Sequence, residues 1–95
     1  MLVVWTLPAL RHLDAIQDYV AQESPKAAYR LINGLIDRTD RLLSANPMIG
    51  RIGRVPETRE LVISRTPYIV VYRISENVEI LAVVHAARDW PEEFA

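Results

Sequence analysis

Three apolar runs, RELVISR, YIVVYRIS and VEILAVVHA, follow one another between Arg59 and Ala86 with only short breaks at Arg65-Thr66-Pro67 and Ser75-Glu76-Asn77. Runs of this length, rich in β-branched and aromatic residues and punctuated by turn formers, are strands. Connections this short join antiparallel neighbours, because a parallel crossover needs a dozen residues or more. The second half of the chain is therefore an antiparallel meander, and the first half must supply whatever covers it.

That first half reads as one strand and two helices. Leu2 to Trp5 is a short apolar strand, and Thr6 can cap a helix that Pro8 enters in its first turn. Leu10, Leu13, Ile16 and Val20 recur through it at helical spacing. Ser24-Pro25 ends that helix and starts another, which carries Ala28, Leu31, Leu35, Thr39 and Leu42 on one face. So short a break makes the pair an antiparallel hairpin. Asn46-Pro47 stops the second helix, and MIGRIGRVPET reads as a loop. The order is β-α-α-β-β-β, and the expected fold is α+β: a helical hairpin packed on a small, mainly antiparallel sheet, as one domain over residues 1–95.

If both breaks are three-residue loops, Ile74 faces Val78 and Ser64 faces Tyr68. Alternation then puts Leu61, Ile63, Ile69, Val71, Leu81 and Val83 on one face, with Arg59, Arg73 and Glu79 at one end of it and Arg65 and His85 at the other. The outer strands are about 10 Å apart, so Arg65 and His85 could both reach an anion held between them. The opposite face carries Val62, Val70, Tyr72, Ile74, Ile80 and Val84. Two short helices can cover one face but hardly both, so an apolar surface is expected to remain for a partner. The C-terminal WPEEFA folding back, or a homodimer, would be the other ways to cover it.

Composition sets the limits on function. The chain has 95 residues, 51% of them hydrophobic, and no cysteine, which removes disulfides and thiolate metal sites. The N-terminal MLVVWTLPAL lacks a basic leader, and no stretch reaches the roughly 18 apolar residues that span a bilayer, so the expected location is the cytoplasm, with no membrane association. Net charge is −1, which announces no nucleic-acid binder. Lys26 is the only lysine, and every other cation is an arginine, whose planar donor fork suits phosphate or carboxylate. From Arg51 to Arg73 there are five arginines (51, 54, 59, 65, 73) against Glu57 and Glu60, a local surplus of three positive charges.

The order of elements, the stretch GRVPETRELVISRTPYIVVYRI and the ending VEILAVVHAARDWP resemble the RelE/ParE superfamily of bacterial toxins from type II toxin–antitoxin modules, over nearly the whole chain. The resemblance implies a cognate antitoxin that wraps the toxin in a hetero-oligomer. It leaves two targets, because RelE-like members cut messenger RNA on the ribosome and ParE-like members poison DNA gyrase. On the RNA-cleaving pattern, Arg65 matches the arginine at the scissile phosphate, His85 the general acid, Pro56-Glu57 the pair supplying the general base, and Arg59 a further cation. Arg51, Arg54 and Arg88 would then bind substrate, with no metal and no cofactor. A base, cations and an acid are what such a transesterification needs, so ribosome-dependent mRNA cleavage is the expected activity. Gyrase inhibition without chemistry is the alternative. A non-toxic interaction domain of the same fold is the third possibility.

Overall fold

A computed structural model describes residues 1–87 and contains seven elements. They are β1 (Val3–Trp5), α1 (Leu7–Ala21), α2 (Pro25–Ala45), β2 (Arg51–Ile52), β3 (Arg59–Val62), β4 (Tyr68–Ile74) and β5 (Val78–His85). The strands form one sheet in the order β1-β5-β4-β3-β2, parallel between β1 and β5 and antiparallel elsewhere. The α+β architecture is thus the expected one, with an extra edge strand. Arg51 and Ile52, expected in a loop, pair with Glu60 and Arg59.

Both helices start where capping chemistry places them. Thr6 accepts the Ala9 amide and donates its hydroxyl to the Ile80 carbonyl at 2.6 Å, so one residue caps α1 and fastens it to β5. Ser24 accepts the Ala27 amide, and Pro25 occupies the first turn of α2. The buried stripes are rotated from those expected. In α1 the core residues are Ala9 and Leu13, while Leu10 is 43% exposed. In α2 they are Ala28, Ile32, Leu35, Thr39 and Leu43, with Leu31 only half-buried and Leu42 turned outward.

Two registers differ from expectation, and each has a physical reason. The β4–β5 hairpin begins as anticipated, with Ile74 opposite Val78 and Arg73 opposite Glu79. A β-bulge then inserts one residue between the Tyr72–Ile80 and Val71–Ala82 pairs. The β3–β4 connection holds four residues rather than three, so Leu61 faces Val70 and the Ile63 amide donates to the Tyr68 carbonyl. Leu61 and Ile63 therefore share the helix-covered face with Tyr68, Val70, Tyr72, Ile80 and Val83, and with Leu13 and Leu35 they make the main core. Ile69, Val71, Ala82 and Val84 form a second buried cluster on the far face. Among the described residues the middle of that face is buried, and its exposed apolar side chains lie toward the edges, at Val62 on β3 and Val4 on β1. The segment WPEEFA lies outside the described residues.

Candidate functional site

The expected site residues fall into two groups at opposite ends of the sheet. Glu57, Arg59, Arg51 and Arg54 gather where β3 begins and β4 ends. Glu57, Thr58 and Arg59 line an open pocket of about 370 Å³ with Met48, Ile52 and Ile74. Arg65 and His85 sit at the other end, where β3 and β5 finish and β4 begins.

The first group is bound up with itself. Glu60 is buried at 3% exposure and accepts Nε and Nη2 of Arg51 and the backbone amide of Arg54, whose guanidinium stands 3.5 Å away. Burial pushes the Glu60 carboxyl up, but the hydrogen bonds from the Arg54 amide and the Arg51 side chain and the two arginine charges outweigh it, and its pKa falls below the ordinary value of 4.5. Arg59 donates to the carbonyls of Gly50 (2.6 Å) and Met48 (3.3 Å), tying β3 to the loop before β2. Beneath them the buried Tyr72 hydroxyl donates to the Pro47 carbonyl and accepts the Gly50 amide. A Cβ at Gly50 would lie 2.5 Å from that hydroxyl oxygen, which is why glycine stands there. Most of the local arginine surplus is thus committed to architecture, since Arg73 also pairs with Glu79 across the β4–β5 hairpin.

A stability prediction follows from Glu60. Its folded pKa is depressed, so its contribution is complete above the unfolded value near 4.5 and is lost as pH falls through the lower folded value. Glu60→Gln should cost about 1–2 kcal/mol at neutral pH. It should also flatten the decline of the unfolding midpoint below pH 4.5. Chemical denaturation of both proteins from pH 7 down to pH 3 measures this.

The second group is more open. The turn Ser64–Pro67 is framed by Thr66, whose hydroxyl donates to the Ile63 carbonyl at 2.9 Å and accepts the Tyr68 amide at 3.1 Å. The Ala86 amide closes it from β5 by donating to the Pro67 carbonyl, and Arg38 of α2 donates to the Ser64 carbonyl, both at 2.8 Å. Arg65 occupies the turn at φ 66, with an exposed side chain that no group among the described residues pairs with. A bulky residue in the left-handed region is strained, and strain of this kind collects at functional positions. Among the described residues only Glu57 (φ 67) shares that conformation without being glycine.

His85 is half-buried at the end of β5, opposite Tyr68, and packs edge to face on that ring at 5.6 Å between centroids. Its Nδ1 accepts the Ala87 amide at 3.2 Å. The strand end carrying it is held from α1 by His12, whose Nδ1 accepts the Val83 amide. Burial lowers the His12 pKa, in keeping with the neutral imidazole such an acceptor requires.

The two groups stand well apart along the sheet. Arg59 is level with Tyr72, and His85 with Tyr68, four residues apart along β4 and on strands to either side of it. Four residues of strand and two inter-strand spacings separate their backbones by about 16 Å. Glu57 lies beyond Arg59, beside Ile74. An attacking 2′-oxygen and a leaving 5′-oxygen share one phosphorus, and base and acid must each come within about 3 Å of their own oxygen. Glu57 and His85 thus stand at opposite ends of the sheet, and the Arg59 guanidinium is bonded to the Gly50 and Met48 carbonyls. Arg65 and His85 do come to the same end, as expected, although Arg65 reaches it from a turn and not from a strand face. Arg88 lies outside the described residues. Two supports of this end, Arg38 and His12, carry no sequence signal beyond ordinary helical decoration.

The chain matches the family model for the ParE toxin of the type II toxin–antitoxin system, parDE, over residues 3–90. It is 48% identical over 88 residues to the candidate toxin Y4kP of Sinorhizobium fredii (strain NBRC 101917 / NGR234), covering 93% of this chain and 91% of that one. It is 41% identical over 87 residues to Toxin RelE2 of Caulobacter vibrioides (strain ATCC 19089 / CIP 103742 / CB 15), covering 90% and 96%. Among solved structures it superposes on a chain of the chromosomal ParDE TA system from P. aeruginosa with a TM-score of 0.80 and 30% identity, over 90% of this chain and 95% of that chain.

Proposed function

The chain belongs to the ParE toxin family of type II toxin–antitoxin systems, and from that premise we propose that it arrests growth by binding DNA gyrase, with no chemistry of its own. The observation that carries this reading is the separation of Glu57 and Arg59 from Arg65 and His85 by the length of the sheet. Inhibition by occupancy needs a presented cation and a shaped surface, and asks for no proton transfer. Arg65 suits that role, because its guanidinium is exposed, its turn is braced on three sides, and no described residue neutralises it. His85 then serves as a strand-end residue that stacks on Tyr68. In the family such a toxin is held by a cognate antitoxin, and we take the complex to be a cytoplasmic hetero-oligomer.

The experiment substitutes the proton-transfer candidates together. His85→Gln with Glu57→Gln keeps size and hydrogen bonding, so growth arrest on induction is expected to stay within about twofold of wild type, measured against soluble protein level. General acid–base catalysis is worth about a hundredfold or more. A loss of that order in the soluble double variant would overturn the reading.

A further inference from the structure

The turn that presents Arg65 is anchored to the helical layer by one side chain among the described residues, Arg38 of α2. Its Nη1 donates to the Ser64 carbonyl at 2.8 Å across 26 positions of sequence. Arg38 is half-buried beside the core stripe residue Thr39, so its stem is packed while its head reaches the sheet end. The carbonyl it holds belongs to the peptide linking Ser64 to Arg65, and Arg65 is the residue in the left-handed region. A strained conformation persists only where its surroundings over-determine it. Thr66, inside this turn, ties Ile63 and Tyr68 at its two ends, and the Ala86 amide fixes Pro67 in its far half. Only Arg38 bonds to the near half from outside it, again among the described residues.

We propose that Arg38 is a positioning residue for the toxic surface: its hydrogen bond to the Ser64 carbonyl holds the peptide before Arg65 in the orientation from which Arg65 meets the target. The assignment rests on the reading of Arg65 as the target-contacting cation. It adds a direct mechanical link between α2 and that contact. A rigid, preorganised side chain binds more tightly than the same side chain on a loose turn, because less ordering is left for the moment of binding. Arginine suits the task because a fork that stays charged makes a strong hydrogen bond to a carbonyl without itself titrating.

The test compares Arg38→Met, Arg38→Lys and Arg65→Gly with wild type in gyrase supercoiling inhibition and in amide hydrogen exchange of the 63–68 turn. Arg38→Met keeps the packed stem and removes the donor, and Arg38→Lys restores one donor. The expected result is a loss of about tenfold in inhibitory potency for Arg38→Met, the scale of one charge-assisted hydrogen bond. Turn amides should exchange faster to match, and Arg38→Lys should recover most of both. Full potency of Arg38→Met beside an inactive Arg65→Gly overturns the positioning role and leaves the reading of Arg65 intact. Lost potency with unchanged turn exchange also overturns it, since Arg38 would then touch the target itself. Full potency of Arg65→Gly removes the reading on which the assignment rests, and the assignment with it.

Discussion

Arg65→Gly is expected to abolish growth arrest on induction while the protein stays folded and soluble. Glycine is the informative replacement because it adopts the left-handed conformation that Arg65 holds at φ 66 without strain. The turn therefore keeps its shape, and only the guanidinium goes. The Arg65 side chain is exposed and bonded to nothing among the described residues, so its removal breaks no bond among them. Removing a central interface arginine costs upward of about 2 kcal/mol, at least a thirtyfold loss of affinity. The measurement is colony formation after induction with soluble toxin quantified in the same cells. Undiminished toxicity of a soluble Arg65→Gly protein would refute the assignment of Arg65 as the contact.

Leu35→Asp is expected to give the same loss of toxicity by the opposite route. Leu35 is wholly buried on the α2 stripe, in the cluster that joins Leu13 to the sheet residues Val70 and Ile80. The substitution empties the space of a leucine and places a carboxylate among apolar side chains. Together these cost more than about 5 kcal/mol, against a total stability of about 5–14 kcal/mol for a chain of this length. Far-UV circular dichroism and the soluble fraction should both collapse. Retention of the wild-type melting profile would show that the helical hairpin is not what stabilises this sheet.

The fold was legible because its strongest signals are local. Thr6 with Pro8 and Ser24 with Pro25 announce both helix starts, and the Ser75-Glu76-Asn77 break sets the β4–β5 register at its turn end. The departures come from single residues whose behaviour is decided by tertiary context. Ser64 continues the strand pattern in sequence but belongs to the turn, because Thr66 and the Pro67 carbonyl close a four-residue loop around Arg65. No composition rule puts arginine in the left-handed region. The bulge at β5 has no glycine to mark it, and it carries Val83 and His85 to the helix side of the sheet. Strand β2 is two residues long amid glycine and proline, and the clue to it was the opposite charge of Arg51 and Glu60. Of the expected site, Arg65 and His85 at one end could be read from alternation. The same strand reading set Arg59 at the opposite end, whereas the family pattern, which groups Glu57 and Arg59 with Arg65 and His85, carries no distance between them.

Inhibition of gyrase by binding without chemistry is tested by two measurements made together, one with purified components and one in cells. Toxin released from its antitoxin is titrated into a gyrase supercoiling reaction, and the 5′ ends of messenger RNA are mapped after brief induction in cells. Supercoiling is expected to stop in proportion to toxin bound, equally with the His85→Gln, Glu57→Gln double variant, while messages stay intact. Unimpaired supercoiling together with codon-positioned cuts that vanish in the double variant would contradict it.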